Sequence, residues 1–360
     1  MNDRKEDVYE LLAKKLDSFP SGYPKTDTGI EIRLLKKIFL PQEAALVNDM
    51  QPMPETANQI AERTGRDPIE TAKKLQSMIG KGQIMGFPME DKFVFMPIPF
   101  VVGIYFFQAP SLDEELAQLF EIYYPYWAEG TLKNAPTYHR VISIDESLPV
   151  EFEIFPYESV STILKDANSF GLYPCMCKLQ KKHIDGGCDH PTNTCLVFSQ
   201  MPNAFDGNPV IQSITKEKAF SSLREFEEVG LVHTMGNFRE ANPGMDFICN
   251  CCSCGCTFLR GVAELGIENS VAKTNFYAVT DTDACTGCET CLERCQFNAI
   301  TIDDGISVVD KIRCAGCGLC VIGCPSEALS LARRTEDENI NPPRNIQEWN
   351  MERAKSRGLM

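Results

Sequence analysis

Eight cysteines between residues 285 and 324 constrain this chain more than any other feature of its sequence. They form two runs of identical spacing, C-x₂-C-x₂-C-x₃-C, namely Cys285, Cys288, Cys291 and Cys295, then Cys314, Cys317, Cys320 and Cys324. The halves also match beyond the cysteines, because residues 299–302 (AITI) correspond to residues 328–331 (ALSL) at a shift of about 29 residues. Three thiolates separated by two residues can hold three irons from one tight loop, so this spacing predicts [4Fe–4S] clusters.

Residues 280–332 therefore resemble the two-cluster bacterial ferredoxin domain, and the resemblance implies two [4Fe–4S] clusters. Its crossed pattern gives cluster one to Cys285, Cys288, Cys291 and Cys324, and cluster two to Cys314, Cys317, Cys320 and Cys295. One departure is visible, since Gln296 stands where the family usually has proline, while Pro325 keeps it. A zinc-binding or disulfide-bonded domain is the alternative, which two repeated four-cysteine runs disfavour.

The cysteine content and the termini indicate where such a chain works. Seventeen cysteines without an export signal argue for metal ligation in a reducing compartment rather than for disulfides. The longest apolar run, residues 93–107, is broken by Pro97 and Pro99 and is too short for a membrane-spanning helix. We expect a soluble cytoplasmic protein from an oxygen-poor setting, because exposed cluster ligands oxidise readily.

The chain is acidic, with a net charge of −15, and the charge is unevenly distributed. Residues 111–160 hold ten acidic side chains against two basic ones, Lys133 and Arg140. Such a surface repels nucleic acid and favours partners with basic docking faces, although it can equally serve solubility alone.

We expect an α+β multidomain fold with six segments. They are an N-terminal helix and linker (1–29), a winged-helix-like module (30–100), an acidic helical connector (101–160), a cysteine-rich mixed α/β middle domain (161–278), a ferredoxin-like 2[4Fe–4S] domain (279–332) and a polar tail (333–360).

The winged-helix-like module is predicted from three helical patterns followed by two strand-like runs, 83–87 and 93–96. Asp67 before Pro68 suits the start of the third helix. That helix offers only Lys73 and Lys74 for reading bases, so protein docking is favoured over DNA binding. Aromatic residues at 123–127 are interpreted as packing rather than as a cofactor surface.

The middle segment carries nine further cysteines with polar neighbours, which neither burial nor disulfide pairing explains. They are Cys175, Cys177, Cys188, Cys195, Cys249, Cys251, Cys252, Cys254 and Cys256. We expect one or two additional iron–sulfur clusters here, with zinc as the alternative metal. One division groups the first four cysteines and four of the last five, and a mixed division draws on both runs. His190 and His233 are interpreted as structural rather than as ligands.

The middle segment also loosely resembles cysteine-rich regions of uncharacterised multi-cluster ferredoxins from anaerobes. This resemblance implies partnership with a flavoprotein or a heterodisulfide-reductase-like complex. The sequence offers no acid–base pair, activated nucleophile or nucleotide-binding loop, so we expect an electron-transfer subunit or partner of a larger oxidoreductase rather than a stand-alone enzyme. A redox-sensing transcription regulator using the winged helix is the alternative, and a zinc-stabilised scaffold carrying one redox domain is a third possibility.

Overall fold

A computed structural model describes residues 7–149, 154–242 and 244–360. The chain divides into two compact units, Met1–Thr131 with His183–Asp185 and Arg357–Met360, and Leu132–Lys182 with Gly186–Ser356. Residues 1–6 of the predicted N-terminal segment and 150–153 of the predicted connector lie outside the described residues. Within those ranges, no helix combines the length and apolar character that crossing a bilayer requires.

The first unit is mainly helical, and within residues 30–100 its hairpin follows four helices where the sequence patterns predict three, because Pro41 begins a new helix within the first pattern. Its elements are α1 (Val8–Asp17), α2 (Ile30–Ile38), α3 (Pro41–Asp49), α4 (Ala57–Thr64), α5 (Pro68–Gly80), β1 (Ile84–Met89), β2 (Lys92–Pro97) and α6 (Glu114–Thr131). Strands β1 and β2 pair antiparallel, with Ile84 opposite Pro97 and Met89 opposite Lys92. The assignment of these elements to a winged-helix fold stays a prediction.

Local chemistry accounts for the start of α5 and for the core of this unit. The Asp67 carboxylate accepts the Glu70 backbone N–H at 2.9 Å, which satisfies a donor that the helix cannot pair internally. Tyr105 stacks on Phe120 with ring centroids 3.8 Å apart. Tyr123 and the aromatic residues at 124 and 127 are buried, in agreement with a packing role, whereas Tyr126 is exposed.

The second unit contains a mixed sheet that the sequence patterns did not predict as one element. Its first elements are β3 (His139–Val141), α7 (Val160–Ile163), β4 (Ser169–Tyr173), α8 (Met176–Asp185), β5 (Cys195–Ser199), β6 (Gln212–Ile214), α9 (Lys216–Glu228), β7 (Val232–Gly236), β8 (Asp246–Cys251), α10 (Thr257–Ala263) and β9 (Val271–Ala272). Seven strands are ordered β6-β4-β5-β8-β7-β3-β9, and all neighbours are antiparallel except β3 and β9. Helix α9 follows its cap Thr215, whose hydroxyl accepts the Lys218 N–H.

Six smaller strands and helices complete the second unit. They are β10 (Phe276–Thr280), α11 (Thr290–Arg294), β11 (Ile300–Asp303), β12 (Ile306–Val309), α12 (Leu319–Ile322) and β13 (Leu329–Arg333), and a final helix, α13 (Ile346–Ser356), follows them. Strands β10 and β13 pair antiparallel, with Thr280 opposite Leu329, so the two ends of the ferredoxin-like segment meet. Strands β11 and β12 form a separate hairpin.

The two faces of the seven-stranded sheet have different contents because side chains alternate along a strand. One face carries Phe170, Leu196 and Ile248, which pack with Leu223 and Phe226 of α9 into an apolar core. The opposite face carries cysteine side chains from β5 and β8. The sheet thus separates a conventional core on one face from a thiol-rich opposite face.

Helix α13, which lies in the predicted polar tail, is partly buried. Its Arg353 is fully buried, and the guanidinium donates to the carbonyls of Asn134 (2.7 Å) and Pro136 (2.6 Å). Trp349 is also buried and donates its indole N–H to the Thr137 carbonyl at 2.8 Å. Arg353 and Trp349 hold this helix against the rest of the unit, a role that a row of aliphatic side chains has in most helices. A search for a hydrophobic pattern could therefore not predict this packing.

Candidate iron–sulfur and metal sites

The ferredoxin-like segment is built from one backbone motif used twice. Left-handed backbone conformations recur at equivalent positions of the two halves, namely Gly287 and Gly316, Glu289 and Gly318, and Asn298 and Glu327. The loops also begin alike, because the N–H groups of Cys285 and Cys314 donate to the carbonyls of Asp281 and Asp310. The repeat seen in the sequence is therefore also a repeat of backbone geometry.

Two glycines in these loops are required by close approach as well as by conformation. Gly287 has a φ of +66°, and a Cβ there would lie 2.4 Å from the Gly305 carbonyl oxygen. Gly316 has a φ of +72°, and a Cβ there would lie 2.1 Å from the Thr274 hydroxyl. Both loops are pressed against backbone that a side chain would displace.

The segment contains two small cavities, each lined by four cysteines. The first cavity is lined by Cys285, Cys288, Cys291 and Cys324. The second is lined by Cys295, Cys314, Cys317 and Cys320. These groups are the same as those in the crossed pattern implied by the ferredoxin resemblance. Four thiols around a compact cavity fit a cubane cluster, whose irons each take one cysteine.

The two cavities differ in exposure. In the first, Cys288 is exposed, and the Thr290 backbone N–H lowers the pKa of its thiol. In the second, burial raises the pKa of Cys317 to about 12. Backbone N–H groups point at sulfur there, from Ala278 to Cys314 at 3.4 Å and from Ala299 to Cys295 at 3.3 Å. Such N–H···S bonds favour charge on the sulfur and tune a bound cluster.

Six of the nine middle cysteines form one group on the thiol-rich face of the sheet. Cys195 lies opposite Cys249 in the β5–β8 register, and Cys251 lies two residues further on the same face. The other three stand at helix starts, where Cys175 and Cys177 begin α8 and Cys256 precedes α10. Neighbouring thiols touch in the order 195, 249, 251, 256, 177 and 175.

The crowding of these six thiols has an electrostatic consequence. Contact with the Cys195 thiol and burial hold the pKa of Cys249 well above its usual range. Contact with Cys177 and burial do the same for Cys175. Thiols in this state bind a metal only by releasing protons, and metal charge then offsets the repulsion between thiolates.

The remaining three middle cysteines form a second group with a histidine. The ligand atoms of Cys188, His190, Cys252 and Cys254 all lie within 4.8 Å of one another. Cys188 is therefore set apart from the other cysteines of its run, so the structure groups the nine differently from the division that follows chain order. His190 had been interpreted as structural, yet its ring joins this group. The C-x-H spacing of residues 188–190, matching the C-x-C of 252–254, was the available signal.

His233 has a different environment. Its Nδ1 lies 2.6 Å from Asn250 Oδ1 and its Nε2 lies 2.8 Å from Glu227 Oε1, and the ring is buried. Asn250 also donates to the Thr194 carbonyl at 2.7 Å. His233 thus belongs to a polar network that joins β7, β8 and α9.

Residues 294 and 296 connect the ferredoxin-like segment to the middle segment. The Gln296 amide oxygen accepts from the Ser253 N–H (2.8 Å) and hydroxyl (2.9 Å), and its NH₂ donates to the Gly230 carbonyl at 3.2 Å. Arg294 donates to the Glu227 carbonyl at 2.7 Å. Gln296 directly follows Cys295, at the position where the ferredoxin family usually has proline. In this chain the glutamine side chain links the ferredoxin-like segment to the middle segment.

Comparison with known proteins supports the central part of this description. Residues 278–301 match the family model described as a 4Fe-4S binding domain, which covers the first of the two repeated halves. No curated protein and no solved structure matches the chain. The chain therefore has a ferredoxin-type cluster-binding segment, and iron–sulfur electron transfer in general is supported.

Proposed function

We propose that this chain is an electron-transfer protein that relays single electrons through two [4Fe–4S] clusters in residues 280–332. The observation that carries the proposal is the pair of four-thiol cavities formed by one repeated loop. The family match covers one half, and the second half repeats its cysteine spacing and its left-handed backbone positions. Cysteines, glycines and apolar side chains make up most of the lining of each cavity, which suits a relay.

The difference in exposure between the cavities suggests an order of transfer. Cluster one would lie near the surface, because Cys288 is exposed. Cluster two would lie closer to the middle segment, because Cys295 adjoins the Arg294 and Gln296 contacts described above. We therefore assign cluster one as the port for an external partner and cluster two as the internal station.

A further cluster in the middle segment extends this proposal. The six-thiol group offers more than the four thiolates a cubane needs, and its thiols lie on the side of the sheet away from the apolar core. It lies in the same compact unit as the ferredoxin-like segment, and we assign it as the third station. The mixed division of the nine cysteines is the one this grouping favours.

The partners we propose are redox proteins, such as a flavoprotein or a heterodisulfide-reductase-like complex, with this chain as a subunit. The acidic residues between 111 and 160 favour a basic docking face on that partner. The second candidate, a redox-responsive regulator, rests on the order of helices and hairpin in the first unit. Against it, Lys73 on α5 is paired with Glu70 at 3.0 Å. Sequence-specific retardation of promoter DNA by the purified protein would favour the regulator.

The relay is tested with two variants at equivalent positions, Cys291→Ser and Cys320→Ser, in anaerobically prepared full-length protein. Each should lower the iron and sulfide content by about four per chain. With a small-molecule reductant and a basic acceptor protein, Cys291→Ser should abolish electron delivery, whereas Cys320→Ser should retain it through cluster one. Ser326→Ala, which also lines the first cavity without removing a thiol, is the matched control.

Three results would contradict parts of this proposal. Equal loss of delivery in both cysteine variants would contradict the assigned order of clusters. An unchanged iron content in both would contradict the clusters themselves. For the middle segment, Cys249→Ser combined with Cys256→Ser should remove about four more irons, and no change there would exclude the third station.

A further inference from the structure

We propose that Cys188, His190, Cys252 and Cys254 form a mononuclear, tetrahedral zinc site distinct from every iron–sulfur cluster of the chain. The four residues belong to the middle segment, where zinc is the alternative to the one or two expected iron–sulfur clusters. The zinc site does not depend on the electron-relay proposal, because none of its four ligands belongs to residues 280–332.

The distances between the ligand atoms fit one tetrahedral ion. The sulfurs of Cys188 and Cys252 lie 3.8 Å apart. His190 Nδ1 lies 3.2 Å from the Cys188 sulfur and 3.8 Å from the Cys254 sulfur. Zinc holds thiolates at about 2.3 Å in a tetrahedron, which places their sulfurs about 3.8 Å apart.

The histidine ring is oriented as a metal ligand should be. His190 Nε2 lies 3.1 Å from the Val229 carbonyl oxygen, at the end of α9. Because a carbonyl can only accept a hydrogen bond, Nε2 carries the ring proton. Nδ1 is then unprotonated, and its lone pair is free to bind an ion held between it and the sulfurs. Metal-bound histidines usually donate their other N–H to a carbonyl or carboxylate, which fixes the tautomer in this way.

The ligands come as two short chelating pairs, each held by its surroundings. Cys188 and His190 flank one residue, and so do Cys252 and Cys254. The intervening Ser253 is fixed by both of its hydrogen bonds to Gln296. Loops fixed in advance lose less freedom when a metal binds, so the site is organised for one ion.

Charge near the site also suits three thiolates and a divalent ion, which together carry one negative charge. Lys178 is buried, and its ammonium donates to the Thr194 hydroxyl (2.9 Å) and the Asn250 carbonyl (3.0 Å). Its charge acts on both Cys188 and Cys252. Three sulfurs and one imidazole form a set typical of structural zinc, with no position left for a substrate. The ion would fasten the 188–190 loop to the 252–254 loop beside α9.

The experiment uses the full-length protein, produced anaerobically in iron-replete medium. Zinc, iron and sulfide are measured together, and zinc-edge X-ray absorption reports the ligand atoms. We expect about one zinc with three sulfurs near 2.3 Å and one nitrogen near 2.0 Å. His190→Ala should weaken zinc binding by more than about 100-fold in competition with a chelator, while the iron content stays unchanged. His190→Cys should keep zinc and give a four-sulfur shell.

His183→Ala, at an exposed histidine on α8, is the matched control and should behave as the wild type. The proposal is overturned if the wild type contains no zinc, or if its zinc has only sulfur neighbours. It is also overturned if His190→Ala loses iron, about four atoms for a cubane or one for a mononuclear iron site. Should His190→Ala fail to fold, the ligand shells of the wild type and of His190→Cys decide the question.

Discussion

Replacing Gln296 by alanine should loosen the loop that carries Cys252 and Cys254. Three hydrogen bonds disappear, two accepted from Ser253 at 2.8 and 2.9 Å and one donated to Gly230 at 3.2 Å. Each is worth about 1 kcal/mol net, and partial exposure lowers the sum to about 2 kcal/mol. Because 1.4 kcal/mol is a factor of ten, local opening should become about 30-fold more frequent.

Hydrogen–deuterium exchange measures this opening directly, because the Ser253 amide is itself a donor to Gln296. In anaerobic protein, peptides covering residues 250–258 should exchange about 30-fold faster in Gln296→Ala. Gln296→Glu keeps an acceptor for Ser253 and loses the donor to Gly230, so its exchange should rise less. Peptides from the first unit should be unaffected.

Gln118→Ala is the control, because it also removes a glutamine side-chain hydrogen bond, to Glu114 at 2.8 Å, but on an exposed helix face of the other unit. It should leave exchange at residues 250–258 unchanged. An increase of less than about threefold in Gln296→Ala would refute the reasoning, since the three bonds would then contribute under about 1 kcal/mol together.

Three further outcomes are expected. Gly316→Ala should lower the iron content by about four per chain, because its Cβ would collide with the Thr274 hydroxyl and the Phe276 carbonyl. Gly266→Ala is the control and should keep its iron, because Gly266 is also left-handed but has open space around it. Burial lowers the pKa of His139 to about 3 from 6.5, so the unfolded chain takes up a proton that the folded chain excludes. The free energy of unfolding should therefore fall as pH drops below about 6.5, by about 2 kcal/mol at pH 5. In chemical denaturation, the midpoint of His139→Phe should fall less steeply with decreasing pH than that of the wild type. Arg353→Ala should cost about 3 kcal/mol in chemical denaturation, because two buried carbonyls lose their donor, while the exposed Lys355→Ala should change stability by less than about 0.5 kcal/mol.

Features determined by short-range chemistry were predictable from the sequence. The spacing of Cys285 to Cys295 and its repeat indicated the cluster segment, because three ligands of each set come from a single loop. The capping residue Asp67 likewise located the start of α5. In each case the deciding contacts lie within a few residues of one another.

The grouping of the middle cysteines could not be predicted, because it depends on which strands pair. Cys195 meets Cys249 only through the β5–β8 register, and that register is set by burial of the alternate residues, such as Leu196 and Ile248. Cys188 lies in a loop outside these strands, and its sulfur is close to that of Cys252 rather than to those of Cys175, Cys177 and Cys195. Spacing along the chain carries no record of such cross-strand neighbours.

The packing of α13 has a consequence for how the protein is made. All seventeen cysteines precede this helix in the chain, yet its Arg353 holds the backbone at 134 and 136, where the second unit begins. At about 5–20 residues per second, a ribosome needs a few seconds to proceed from Cys324 to the end of α13. During that interval the thiols are complete but the unit is not yet closed. Maturation factors that deliver iron, sulfide or zinc would find the nascent chain more accessible than the finished protein, so loading during synthesis should outpace reconstitution of the purified apoprotein.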